Sequence, residues 1–169
     1  MTEFERLQEI IAQLRGENGC PWDREQTHVS LKPACVEEAA EVVCGINILE
    51  KTGDAENLKE ELGDLLLQVV MHAQIAEEEN LFTMDDVIRG ISEKMIRRHP
   101  HVFGTTEVQN SQEVLVNWES IKKREKKGKE WARAYLPEAF DEAKELIDVA
   151  KRRKGYVSVS YTHLRAHET

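Results

Sequence analysis

The chain has 169 residues, 33% of them charged and 40% hydrophobic, which is the composition of a folded domain with its own core. Its formal net charge of −9 argues against a nucleic-acid-binding protein, because neutralising phosphates requires a clustered basic surface. No apolar run approaches the roughly 20 residues of a transmembrane helix, so we expect no membrane span.

Apolar residues at spacings of three and four predict the first helix, and they are Phe4, Leu7, Ile11 and Leu14. Thr2 can cap the start of this helix and Gly16 can end it. Residues 16–23 are rich in turn formers and therefore predict a loop.

A second helix is predicted from about Ser30 to Glu50, with Pro33 tolerated in its first turn. Its apolar stripe is Val36, Ala39, Val43 and Ile46. Asp54 caps a third predicted helix, which runs to about Glu79. The apolar face of this third helix is wider and predicts the most buried helix of the chain; it comprises Leu58, Leu62, Leu65, Leu66, Val69, Val70 and Ala73.

Two later helices begin with capping signatures. Thr83 with Asp86 three residues later predicts a helix that ends at Arg98, and Asn110 with Glu113 predicts another. Their inner faces are Val87, Ile91 and Met95 in the first, and Val114, Trp118 and Ile121 in the second. No run shows the period of two that strands require, so the predicted fold is an all-α helical bundle.

The predicted first domain covers residues 1–126. The charge run 122–129 surrounds a glycine, and we interpret it as a fraying helix end and linker rather than a basic nucleic-acid arm. Residues 127–158 are interpreted as a linker and the start of a second domain, with a helix after Pro137. Residues 159–169 resemble the translation of a transposase-based sequencing adapter, so we expect them to be an artefact tail beyond a truncated native chain.

The three cysteines, Cys20, Cys35 and Cys44, form no Cys-x-x-Cys pair and are odd in number. Because the sequence also shows no signal-peptide pattern, it predicts reduced thiols in a cytoplasmic protein rather than a disulfide framework.

Four acidic side chains fall in two pairs on the second and third predicted helices: Glu38 with Glu41, and Glu61 with Asp64. Residues three apart share a helix face, and Glu37 lies beside the first pair. Gly63 lies inside the second pair, where glycine costs about 1 kcal/mol relative to alanine. A residue this small would admit a neighbouring backbone or a ligand. If the two helices pack antiparallel, the carboxylates converge at the edge of a core.

Converging carboxylates need a cation to neutralise their mutual repulsion. Oxygen donors without histidine or cysteine select Mg²⁺, with Mn²⁺ as the alternative, over zinc. Two other interpretations stay open. In the first, the acidic pairs simply cover solvated helix faces. In the second, they belong to a di-iron carboxylate bundle. That design uses Glu-x-x-His motifs, and neither pair contains histidine.

Three cations near the end of the fourth predicted helix, Lys94, Arg97 and Arg98, are candidate clamps for phosphate oxygens. The alternative is that they are helix-end charges that complement the helix dipole. Trp22 is a candidate for stacking on a base. Trp118 is a candidate for stacking or for hydrogen bonding through its indole N–H, with a core position as the competing interpretation.

The chain resembles the MazG family of nucleoside triphosphate pyrophosphohydrolases from about Phe4 to Lys123. Five motifs in order carry the resemblance: Gly19-Cys-Pro-Trp-Asp23, Glu37-Glu-Ala-Ala-Glu41, Glu61-Leu-Gly-Asp64, Arg97-Arg-His-Pro-His-Val-Phe103 and Asn117-Trp-Glu-Ser-Ile-Lys122. Each motif alone has little specificity, whereas five in this order are highly specific.

The resemblance implies an all-α homodimer that hydrolyses nucleoside triphosphates to monophosphate and pyrophosphate, as expected of nucleotide-pool house-cleaning. It implies that Glu38, Glu41, Glu61 and Asp64 are the Mg²⁺ ligands. It also implies that the stretch from Lys94 to Arg98, together with Trp118, contacts the nucleotide. Glu37 and Glu38 are the predicted catalytic residues, and for Glu37 the roles of second-metal ligand and of water-orienting base stay open.

Two rival functions remain at this point. The first is a non-catalytic helical dimerisation or regulatory module of a tandem protein. The second is a narrower enzyme of the same superfamily, specific for dUTP, dCTP or phosphoribosyl-ATP.

Overall fold

Helices make up the regular secondary structure of residues 1–155, the part of the chain that this computed structural model describes. The α-helices in this part are α1 (Glu3–Arg15), α2 (Pro21–Glu25), α3 (Lys32–Thr52), α4 (Glu56–Glu78), α5 (Met84–Arg98), α6 (Pro100–Phe103), α7 (Ser111–Glu125) and α8 (Leu136–Arg153). A 3₁₀ helix, Glu130–Tyr135, precedes α8. The predicted all-α class is confirmed. The predicted artefact tail, residues 159–169, lies outside the described residues.

The helix termini follow the capping chemistry expected from the sequence. Thr2 and Glu5 form a capping box at the start of α1, and Thr83 and Asp86 form another at the start of α5. Gly53 ends α3 with a φ of 77°, a left-handed conformation that glycine adopts without strain. These local hydrogen bonds explain why the predicted ends of the long helices lie within two residues of the observed ones.

Short helices were harder to predict than long ones. The predicted loop 16–23 is wrong at its end, because α2 begins at Pro21, a residue suited to the first turn of a helix. The 3₁₀ helix lies in the segment that was interpreted as linker, and α6 was not predicted. Helices of four to six residues are too short to show an apolar period.

The chain divides into two units, each described by itself. The first comprises Met1–Val29 with Leu66–Pro137, and the second comprises Ser30–Leu65 with residues 138–155. The predicted domain boundary near residue 126 stays a prediction. Within the described residues, no helix is both long and apolar enough to cross a bilayer.

The core of the first unit is built around the second half of α4. Its buried side chains there are Val70, Met71, Ala73, Ile75 and Ala76. Arg15 is also largely buried; its guanidinium donates to Glu78 and to the backbone carbonyls of Asp23 and Gln26. This paired charge ties the end of α1 to α2 and to the end of α4.

In the second unit, α3 and α4 approach each other closely at Gly45. A Cβ atom at this position would lie 2.8 Å from the Cα atom of Leu58, so only glycine permits the observed distance. The prediction that Gly63 serves such an approach is not supported, because a Cβ atom there would meet nothing within 4 Å among the described residues.

The predicted apolar stripes are only partly buried. α4 is the most buried of the described helices, as predicted, but Leu62 and Val69 of its stripe are 50% and 41% exposed. In α3, Val43 and Ile46 are exposed as well. The spacing correctly predicted the apolar faces of α3 and α4, but part of each of these two faces is not buried by the described residues.

The tight helix crossing predicts opposite effects for two glycine-to-alanine substitutions. Gly45→Ala should lower the free energy of unfolding by about 1–3 kcal/mol, because the added methyl group pushes α3 away from α4. Gly63→Ala, in open space on α4, should instead raise it by up to about 1 kcal/mol through helix propensity. Urea unfolding followed by circular dichroism measures both. Equal effects of the two substitutions would contradict the close approach.

Candidate metal centre

Three carboxylates meet in the second unit. Glu38 of α3 and Glu61 and Asp64 of α4 each offer an oxygen, and these oxygens all lie within 4.8 Å of one another. All three side chains are half-buried. The convergence that was expected from the spacing of the acidic pairs is therefore present for these three residues.

The close approach at Gly45 places these side chains opposite one another. One turn back from Gly45 along α3 leads to Glu41, and a second turn leads to Glu38. One turn forward from Leu58 along α4 leads to Glu61, and Asp64 follows a turn later. Side chains of consecutive turns share a helix face, so the two helices bring their acidic faces together.

The electrostatics of the cluster are those of uncompensated negative charge. The pKa of Glu38 is raised by burial and by the neighbouring charges of Glu41, Asp64, Glu37 and Glu61, in that order. A divalent cation among these carboxylates would remove the repulsion that raises this pKa.

The surroundings of the cluster also fit a bound ion and its ligands. Asn57 donates from Nδ2 to Glu61 at 2.9 Å, which fixes the orientation of the carboxylate. The Oδ1 atom of Asn57 is buried and has no hydrogen-bond partner among residues 1–155. Asn57 and Glu61 line a cavity of about 390 Å³, a volume within the range of small-molecule sites. The donor set is all oxygen, as hard divalent cations require.

The two remaining acidic residues of α3 are held by the C-terminal end of α8. Glu37 accepts from Arg153 at 2.5 Å and pairs with Lys154 at 2.8 Å, and Lys154 also pairs with Glu41. Hydrogen bonding to Lys154, followed by that to Arg153, lowers the pKa of Glu37. Glu37 is therefore ionised near neutral pH, unlike a carboxyl group poised to hold a proton.

The sequence alone did not predict these contacts at the end of α8. The signal was present in the run Lys151-Arg-Arg-Lys154, where Lys151 and Lys154 are one helical turn apart. A basic last turn is ordinary in helices, because it complements the helix dipole, so the run by itself did not indicate a partner.

The predicted phosphate clamps lie in the first unit. Arg97 and Arg98 both pair with Glu125 of α7, at 3.0 and 2.7 Å, and Arg98 is the more buried of the two. The guanidinium of Arg98 also lies 5.1 Å from the ring centre of Trp118, a cation–π contact. Glu125, which sequence reasoning did not select, therefore fixes two of the predicted cations.

The other predicted substrate contacts also belong to the first unit. Trp22, in α2, is largely exposed, as a stacking residue would be. Lys94 is half-buried. Trp118 is half-buried and packs against the His99 ring at 5.0 Å, so it is neither fully in the core nor freely exposed.

The part of the chain that holds the carboxylates matches a known protein family. The family described as the MazG nucleotide pyrophosphohydrolase domain matches residues 26–103. This stretch contains the three converging carboxylates together with Glu37 and Glu41. Residues 26–103 of the chain therefore belong to the MazG family.

Similar proteins cover about three quarters of the chain. Nucleoside triphosphate pyrophosphohydrolase/pyrophosphatase MazG of Thermotoga maritima is 52% identical over 77% of this chain and 48% of its own length. Nucleoside triphosphate pyrophosphohydrolase of Escherichia coli K12 is 47% identical over 75% and 47%. Uncharacterized protein YabN of Bacillus subtilis is 56% identical over 73% and 24%. The chain thus spans between about a quarter and about half of the length of these relatives. The match to the family domain ends at residue 103, well before α8 begins.

The charge crowding around Glu38 predicts a stabilising substitution. Glu38→Gln should raise the melting temperature in EDTA by about 2–4 °C, because an ionised group with a raised pKa destabilises the fold and glutamine carries no charge. Mg²⁺ should raise the melting temperature of the parent chain, and the same variant should lose that rise. Glu60→Gln, on the exposed neighbour of Glu61, is the matched control and should change neither value. A lower melting temperature for Glu38→Gln in EDTA would contradict the crowding.

Proposed function

We propose that this chain hydrolyses nucleoside triphosphates, of ribose or deoxyribose type, to the monophosphate and pyrophosphate in a Mg²⁺-dependent reaction. The observation that carries the proposal is the convergence of Glu38, Glu61 and Asp64 within a MazG domain. The names of the relatives from Thermotoga maritima and Escherichia coli support the same reaction.

The metal ligands in this proposal are Glu38, Glu61 and Asp64, with Glu41 as the fourth carboxylate; Mn²⁺ is an alternative ion. When bound, the ion supplies positive charge for the phosphate oxygens and acidifies water. Asn57 keeps Glu61 oriented, and its free Oδ1 can accept a hydrogen bond from a water or a substrate hydroxyl in the cavity.

Glu37 and Glu38 are the proposed catalytic residues. Glu37 is ionised and accepts hydrogen bonds only, so it suits orienting the attacking water better than storing its proton. Glu38 has the higher proton affinity of the two, because burial and four carboxylates raise its pKa. Its role is to hold the ion beside the attacking water.

Lys94, Arg97 and Arg98 are the proposed phosphate contacts, with Trp22 and Trp118 as the contacts for the nucleoside. Glu125 and Trp118 hold the guanidinium of Arg98 in one orientation, so little side-chain entropy is lost on binding.

The biological role proposed for this reaction is nucleotide-pool house-cleaning in the cytoplasm. Within residues 1–155, the three cysteines form no disulfide bond.

The metal ligands predict a loss of catalysis without a loss of folding. Asp64→Asn should lower the rate of pyrophosphate release by about 100-fold or more, because it removes a ligand charge from the ion. Glu60→Gln is the matched control and should retain the parent rate. The assay offers a panel of nucleoside triphosphates with Mg²⁺ and resolves the products by anion-exchange chromatography.

The products of this assay discriminate between the rival functions. Diphosphate plus phosphate would contradict the assigned bond. Turnover of only dUTP, dCTP or phosphoribosyl-ATP would assign the narrower enzyme. No turnover of any substrate by the folded parent chain would assign the non-catalytic module.

We also propose that the chain forms a homodimer. Leu62, Leu66 and Val69 are exposed and lie along one face of α4, four and three residues apart. Val43 and Ile46 form a similar exposed pair on α3. Apolar stripes of this kind on long helices are typical of faces that a second subunit covers.

The exposed stripe of α4 predicts the effect of a charge on assembly. Leu66→Glu should convert a dimer to a monomer, because a carboxylate cannot be buried in an apolar interface without a partner. Leu81→Glu introduces the same charge at another exposed leucine and should leave the dimer intact. Light scattering after gel filtration gives the mass of each. A monomeric parent chain, or a dimeric Leu66→Glu variant, would contradict the assignment of this face.

A further inference from the structure

Arg153, the last residue of α8, and Lys154, which follows it, hold two carboxylates beside the three that converge. Lys154 Nζ lies 2.8 Å from Glu37 and also contacts Glu41, while Arg153 contacts Glu37 at 2.5 Å. The acidic cluster of this unit is therefore divided between a set of three carboxylates and a pair that is already neutralised.

We propose that Lys154, the residue directly after α8, is a built-in counter-ion that competes with the divalent cation for the acidic cluster. This inference rests on the proposed metal site and adds a regulatory element to it. Lys154 is a positioning residue, because it acts on the ion through Glu41 and Glu37.

Charge and geometry support competition rather than cooperation. A carboxylate whose charge is balanced by an ammonium group attracts a metal ion less strongly, and a positive charge a few ångströms from the ion repels it. Glu41 is the shared element, since it is the fourth proposed ligand and the partner of Lys154. In this arrangement the ion must displace Lys154 to gain Glu41, or bind with three carboxylates.

The position of α8 makes the competition adjustable. Lys154 and Lys151 line the same cavity as Glu37, Glu41 and Glu61, so α8 forms one of its walls. Lys32 of α3 pairs with Glu142 near the start of α8 at 2.9 Å. Loss of the terminal turn alone would thus free the two carboxylates while leaving this pair in place.

α8 also provides a matched control. Lys151 lies one turn before Lys154 and lines the same cavity, but its ion pair is with Asp148 of its own helix, at 3.8 Å. Its removal deletes the same net charge from the same cavity wall without releasing Glu37 or Glu41.

The direct test measures Mn²⁺ binding by electron paramagnetic resonance in the full chain without nucleotide. Lys154→Ala should tighten Mn²⁺ binding by about three- to tenfold, because the carboxylates regain their charge for the ion. Lys154→Arg should restore the parent affinity, and Lys151→Ala should leave it within about twofold. Unchanged or weaker Mn²⁺ binding in Lys154→Ala would overturn the proposal.

Hydrogen exchange supplies a second readout that a merely structural role would not move. Because coupling between two sites is reciprocal, Mn²⁺ should speed amide exchange in the last turn of α8 in the parent chain. Exchange in that turn that does not respond to Mn²⁺ would also overturn the proposal.

The outcomes separate this inference from the proposed function. If the parent chain binds Mn²⁺ and releases pyrophosphate while Lys154→Ala binds Mn²⁺ no more tightly, only the competition fails. A higher KM for the nucleotide in that variant would then assign Lys154 to phosphate binding. If the parent chain binds no Mn²⁺, the metal site fails and the competition fails with it.

Discussion

The close approach of α3 and α4 at Gly45 and Leu58 is the constraint on which the candidate site depends. Without a side chain at Gly45, the two backbones come within a distance that a single methyl group would prevent. The consequence lies one and two turns away, where Glu38 meets Glu61 and Asp64. A small residue in one part of a helix thus determines the distance between charged residues in another.

That constraint has an electrostatic cost. Three carboxylates within 4.8 Å of one another repel, and the raised pKa of Glu38 reflects both burial and this repulsion. Such a cluster lowers the stability of the metal-free fold, so it persists only where cations offset the charge. The ion pairs of Lys154 and Arg153 neutralise the neighbouring Glu37 and Glu41, and a divalent ion would offset the charge of the three carboxylates themselves. The balance between the two links the end of α8 to the chemistry proposed for the site.

A second constraint is the apolar surface that the described residues leave uncovered. Leu62, Leu66 and Val69 of α4 lie on one face of the helix that also carries Glu61 and Asp64. Burying such a face against a second copy would stabilise the same helix that presents the proposed metal ligands. Folding, assembly and the geometry of the proposed site would then depend on one helix.

The amino-acid sequence by itself determined the helices and the acidic pairs. Apolar periodicity and the capping residues Thr2, Thr83 and Asn110 placed the long helices to within two residues, because both signals act over one or two turns. The ordered motifs correctly indicated the family. Tertiary structure decided the rest: the glycine that permits the close approach is Gly45 and not Gly63, Glu41 is paired with Lys154, and parts of the apolar stripes of α3 and α4 are exposed. These features depend on contacts between residues far apart in the chain, and no local pattern contains that information.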